Sequence, residues 1–110
     1  MPEIPFDDWK KIDLKVGKIL SVEDHPNAEK LYVLKVDLGT ETRTLVAGIK
    51  KYYTKDQLLN RKVIVFVNLQ PAVLRGVKSE GMILAAVDEA TDTVTLLQPE
   101  KDIKPGSIIR

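Results

Sequence analysis

The chain has 110 residues, 44% of them hydrophobic and 30% charged, which is the balance of one globular domain around a core of ordinary size and not of a disordered chain. With no cysteine and a single histidine, it can hold neither a disulfide framework nor a thiolate or His-rich metal site. No apolar run is long enough for a membrane-crossing helix, and Pro2, Glu3 and Pro5 interrupt any signal-like start, so the expected compartment is the cytoplasm.

In chain order, residues 5–12 (P-F-D-D-W-K-K-I) read as a short helix, with an Asp able to cap its start and Lys10 and Lys11 near its end. Phe6 and Trp9 are three apart and share a face. Residues 13–24 alternate, with Leu14, Val16, Leu20 and Val22 on the expected buried side and Gly17 marking a bulge or tight bend. His25-Pro26-Asn27 opens a turn-rich connection. Residues 31–38 and 42–47 then form a hairpin across Gly39-Thr40. Residues 49–53 read equally as helix or loop, and Thr54-Lys55-Asp56-Gln57 is a capping-box pattern that starts a short helix over 55–59. Residues 61–69 predict a fourth strand and 82–88 a fifth, with a further strand at 93–97 after the turn at 89–92. Pro99, Pro105 and Gly106 predict an irregular tail. The whole, residues 1–110, reads as one all-β domain, a five-stranded OB-fold barrel with short helices at the N-terminus and between strands 3 and 4. A generic small β-barrel is the alternative.

The net charge of +1 conceals a segregation. Residues 1–42 carry a net −3, residues 43–80 a net +6 and residues 81–110 a net −2, which places a positive face in the middle of the chain. Lys50, Lys51, Lys55, Arg61 and Lys62 surround the second helix with Tyr52 and Tyr53 among them, while Arg75 and Lys78 lie in the long connection 68–82, read as an irregular loop. Cations neutralise phosphates and aromatic rings stack on bases, so this composition points to a polyanion partner; solvated lysine pairs and core tyrosines are the plain alternative. Loops of this length are more often functional than idle, since most connections run about 4–6 residues. Catalytic signals are thin: His25 has no nucleophile beside it, Asp7 and Asp8 face different directions, and no phosphate-binding loop, dinucleotide turn or nucleophile elbow is present. No catalytic residue, cofactor or metal is expected.

Five motifs occur in order: G-K-I-L at 17–20, H-P-N-A-E-K-L at 25–31, V-A-G-I at 46–49, N-L-Q-P at 68–71 and L-R-G-V-K-S-E-G-M-I-L at 74–84. Together, over roughly residues 7–110, the chain resembles the tRNA-binding domain family, which includes the C-terminal domain or detached β subunit of methionyl-tRNA synthetase and stand-alone tRNA-binding proteins. The resemblance implies an OB barrel that binds tRNA by shape, without catalysis. It implies a binding patch of Asn27, Lys30, Ala47, Gly48, Asn68, Arg75, Ser79, Glu80 and Met82, to which the basic cluster adds Lys50, Lys51 and Lys78. Two departures stand out: Ala47 where many relatives have Ser, and Gln70 where many have Lys. The resemblance also implies a two-fold homodimer, for which Phe6, Trp9, Ile103, Ile108 and Ile109 are the candidate interface, and a methionyl-tRNA synthetase catalytic chain as a possible partner. Export-chaperone homologues share the barrel, so a peptide-binding dimer is the alternative. No appended domain of the kind by which some relatives imitate a dimer is expected within these residues.

Overall fold

In the computed structural model, which describes all 110 residues, strands dominate and both helices are single turns. The alternating segments form β1 (Leu14–Asp24), β2 (Tyr32–Asp37), β3 (Thr42–Ala47), β4 (Lys62–Phe66) and, after a short hairpin, β7 (Met82–Ile83). They make one antiparallel sheet in the order β3-β2-β1-β4-β7. The sheet curls until the segment 79–82 meets β3, giving a nearly closed, OB-like five-strand barrel.

Closure is carried by side chains as much as by backbone. The Ser79 hydroxyl accepts from the Val46 amide at 3.0 Å and donates to the Gly81 carbonyl at 3.0 Å. The Glu80 amide donates to the Thr44 carbonyl at 2.9 Å, and its carboxylate accepts from the Thr44 amide at 3.2 Å. Arg43 donates to the carbonyls of Val67 and Glu80 across the same seam. Gly81 is obligatory there: its φ is +152°, and a Cβ would stand 2.8 Å from the Phe66 carbonyl oxygen.

Two apolar clusters result. The barrel interior holds Ile19, Leu34, Val36, Leu45, Leu58, Val63 and Val65, all at or near zero exposure, each contributing about 1.5–3 kcal/mol by burial. Outside it, Leu14, Val16 and Ile64 pack with Phe66, Leu84 and Ile109. The first half of β1 is thus buried on both faces, with Gly17 and Ile19 turned into the barrel and Leu14 and Val16 turned out. This corrects the simple alternation: Ile19 is buried and Leu20 is 43% exposed, and a register shift between Ile19 and Ser21 resets the pattern. Gly17 predicts a bulge or tight bend in this strand; the bulge lies between Ile19 and Ser21.

Helix α1 (Phe6–Trp9) starts at Pro5 with no side-chain cap, so neither Asp caps it; Asp7 and Asp8 sit in its first turn. Helix α2 (Lys55–Leu58) carries the expected capping box, with the Thr54 hydroxyl accepting from the Gln57 amide and the Gln57 side chain accepting from the Thr54 amide. The expected fifth strand divides at Leu84 into β7 and β8 (Ala85–Asp88), and β8 pairs with β9 (Thr93–Leu96) as a separate hairpin that sends Leu96 into the core. The tail is more regular than its prolines suggest: residues 106–109 run along β1, exchanging bonds between Gly106, Ser107 and Val16 and between Ile109 and Leu14. No helix is long and apolar enough to cross a membrane.

Candidate nucleic-acid interface

The connection 68–82 is not an irregular loop. It folds into a hairpin of β5 (Ala72–Leu74) and β6 (Val77–Ser79), turned by Arg75 at φ +55° and Gly76 at φ +92°. Two consecutive positive φ values make the tight turn whose twist suits adjacent strands, and Gly76 takes its share at no steric cost. Strand alternation then divides the hairpin. Ala72, Leu74 and Ser79 face inward, whereas Val73 and its partner Lys78 face outward, Val73 being 69% exposed.

The hairpin tip is tied to the H-P-N turn by His25. The Leu74 carbonyl can only accept, so His25 Nε2 donates to it, at 2.8 Å; Nδ1 accepts from the Asn27 amide at 2.9 Å. The two partners together define the neutral tautomer protonated on Nε2. His25 as a residue is 6% exposed, and both ring nitrogens are used. Through this bond His25, Asn27, Lys30, Lys50 and Arg75 come to line one polar cleft together with Glu29, and the Asn27 side-chain Nδ2 lies 4.0 Å from the position of a Cβ on Gly76. Sequence reasoning named Asn27 and Arg75 but passed over His25. Its partner lies 49 residues away, and the only local signal was a lone polar ring before a proline.

The cleft is cationic but not uniformly free. Lys30 and Arg75 form no ion pair. Lys50 lies 2.9 Å from Asp24, which Lys55 also reaches at 3.2 Å, and its ammonium stands over the Tyr32 ring. The hydrogen bonds from Lys50 and then Lys55 hold the Asp24 carboxyl below its ordinary range. Lys51 is turned away, bound to Asp92 at 2.6 Å, and Tyr52 donates to the same carboxylate. Tyr53 serves the core, accepting from the Leu96 amide through its hydroxyl and from the Tyr32 hydroxyl through its carbonyl.

The other expected site residues fall in three places. Ala47, Gly48, Ser79 and Met82 line an apolar groove beside the cleft. Ser79 and Glu80 spend their side chains on the barrel seam. Asn68 is a clasp for the N-terminal segment, its carbonyl accepting from the Asp13 amide at 2.8 Å and its amide donating to the Lys11 carbonyl at 2.6 Å. Of the residues named for pairing, Phe6, Trp9, Ile108 and Ile109 line one depression at the other side of Asn68, with Phe6 and Ile108 well exposed. Ile103 lies apart, where its carbonyl accepts from Lys62. No cluster of His, Asp and Glu side chains has the makings of a metal site.

The model of the tRNA binding domain family matches residues 14–108. The chain is 59% identical over 107 residues to a methionine–tRNA ligase from Thermococcus onnurineus, and 52% identical over 110 residues to one from Methanocaldococcus jannaschii. These matches take in 97% and 100% of the chain but 14% and 17% of the ligases, so the chain spans only a small part of the length of the curated relatives it matches. Among solved structures, a MetRS related protein from Pyrococcus horikoshii superposes with TM-score 0.92 at 33% identity over all of both chains. A CsaA chaperone from Bacillus anthracis superposes with TM-score 0.88 at 31% identity over 99% of this chain and all of the other.

Proposed function

Since the chain belongs to the tRNA binding domain family, we propose that it binds tRNA by its folded shape, through the cleft between the H-P-N turn and the β5–β6 hairpin. One observation carries this reading: a single buried histidine holds two loops together so that Asn27, Lys30, Lys50 and Arg75 face one opening. RNA duplexes hide their base edges in a deep groove, so a reader of folded RNA works through phosphates, ribose hydroxyls and unpaired bases. Arg75 and Lys30 supply charge for phosphates. Asn27 supplies both a donor and an acceptor for a hydroxyl. The arrangement performs no chemistry on its ligand, which fits a binding module within or beside an enzyme.

The kinship with methionine–tRNA ligases favours a place as the C-terminal domain or detached β subunit of such an enzyme, working in the cytoplasm with a catalytic chain as partner. The exposed patch of Phe6, Trp9 and Ile108 favours a homodimer whose two clefts address one tRNA. Fluorescence titration against several tRNAs and an unstructured RNA of equal length tests the central point. All tRNAs should bind similarly and more tightly than the unstructured RNA, with affinity falling steeply as salt rises. Equal affinity for the unstructured RNA refutes recognition of shape.

A further inference from the structure

Beside the cationic cleft runs an apolar groove of about 360 Å³, within the size range of small-ligand sites. Its walls include Ala47, Gly48, Leu69, Leu74, Met82 and Leu96, and no carboxylate lines it. It adjoins the cleft at two points, because Leu74 and Ile49 line the groove while their chain neighbours Arg75 and Lys50 line the cleft. The floor also offers open backbone. Val46 sends its amide to the Ser79 hydroxyl, away from β2. No turn, loop or cap bond takes up the amide of Gly48. A backbone donor, the Gly48 amide, therefore stands in an apolar slot with cations in the adjoining cleft.

We propose that this groove takes one unstacked nucleobase of the bound RNA, with the phosphate of the same nucleotide held by Arg75 and Lys30 in the adjoining cleft. The inference rests on the tRNA-binding reading and adds an occupant for the groove. The base lies against the Leu74 and Met82 side chains, whose thioether gives a polarizable contact to an aromatic ring. Its polar edge meets the Gly48 amide. Every base presents an apolar face, so such a slot tolerates sequence, as a reader of many tRNAs requires. Charge complementarity selects a nucleotide over a peptide: an extended apolar peptide could use the same strand edge but brings no anion to the cleft, where Lys30, Lys50 and Arg75 outnumber the one carboxylate, Glu29.

The chain has two methionines, Met1 and Met82, and Met1 is fully exposed at the terminus, so a carbon-13 methyl-methionine spectrum of the intact protein contains its own reference. AMP should shift the Met82 methyl upfield by ring current and leave Met1 in place, whereas ribose 5-phosphate, which lacks the ring, should cause no upfield shift. Folded Met82→Gln, which adds no charge, should bind tRNA about tenfold more weakly with an unchanged salt dependence, because the phosphate contacts remain. If circular dichroism shows that variant unfolded, Gly48→Val narrows the groove instead, as a Cβ there meets only Leu31 Cδ2 at 3.5 Å, and the same loss is expected. A Met82 methyl unmoved by AMP and by tRNA, while tRNA binds, overturns the groove assignment and leaves the functional reading standing. A shift caused by an uncharged apolar decapeptide and not by AMP also overturns it and gives the groove to peptides. If tRNA fails to bind at low salt, the functional reading has failed and the groove assignment with it.

Discussion

Replacing His25 with alanine removes both bonds that hold the cleft together, the 2.8 Å bond to Leu74 and the 2.9 Å bond from Asn27. Each bond contributes a net of about 1 kcal/mol. The residue is buried, so a small void is left as well, and the expected loss of stability is about 2–3 kcal/mol, or roughly 9–13 °C in Tm for a domain of this size. The effect on tRNA has a different origin. Asn27, Lys30 and Arg75 would have to be ordered at the moment of binding rather than beforehand, which costs about 0.5–1.5 kcal/mol for each long side chain immobilised. The dissociation constant should therefore rise by about tenfold or more. The salt dependence should stay the same, because no phosphate contact is lost. His25→Gln can keep the donor toward Leu74, and His25→Asn can keep the acceptor toward Asn27, so each should recover part of the loss. Differential scanning calorimetry and fluorescence titration across a salt series read both effects. Unchanged Tm and affinity in His25→Ala would refute the clasp, and a shallower salt dependence would show that the ring touches phosphate itself.

Arg75→Ala should weaken tRNA binding by about 1–3 kcal/mol and reduce the salt slope by about one, while Lys78→Ala, on the outward face of the hairpin, should do less; titration of both variants at fixed salt decides the order. Asp24→Asn should tighten binding and steepen the salt dependence, because it frees Lys50 at the cleft mouth. The Asp24 carboxyl is held low by its lysines, so the small stability it contributes is present above the unfolded aspartate range and is lost as pH falls below about 4, which thermal melts of wild type and Asp24→Asn across that range will show as a converging Tm. Gly17→Val should cost at least about 1–3 kcal/mol, since even a Cβ there lies 2.5 Å from Val36 and 3.0 Å from Val65 inside the barrel; a denaturant melt with an unchanged midpoint would contradict the packing. Ile108→Asp should give a folded monomer with weaker tRNA binding, measured by light scattering, circular dichroism and titration; a wild type already monomeric at micromolar concentration would exclude the dimer.

Element order was legible because the signals were local. The capping box at Thr54, the Gly39 turn and the alternation of 31–38 and 42–47 all act within a few residues, and their elements formed within a residue or two of expectation. Where two faces of one strand are buried, alternation carries no information about which side is the core, and β1 was read the wrong way round for Ile19 and Leu20. The β5–β6 hairpin was missed although A-V-L-R-G-V-K-S contains a two-residue turn flanked by alternating residues; its strands are three residues each, shorter than the pattern usually trusted. The candidate site was legible as a set of residues but not as a place. Which cations are free depends on Asp24 and Asp92, each at least 26 residues from the nearer lysine it binds, and no spacing rule reaches that far.

The stretch 79–82 puts the groove wall and the barrel seam in the same part of the chain. Ser79 and Glu80 close the barrel against β3, and Gly81 and Met82 continue directly into the groove wall. Closing the barrel therefore sets the groove, and the bonds that satisfy the edge of β3 at Thr44 and Val46 stop short of Gly48, which lines the groove with its amide free of any backbone partner. A strand edge left wholly open would invite pairing with other chains; here it is covered up to the point where a ligand can use it. It follows that substitutions at Ser79 or Glu80 act on stability and binding together, whereas Arg75 and Lys30, which take no part in the seam, act on binding alone. Folding and recognition should therefore part at Arg75 and Lys30 and stay joined at His25, Ser79 and Glu80.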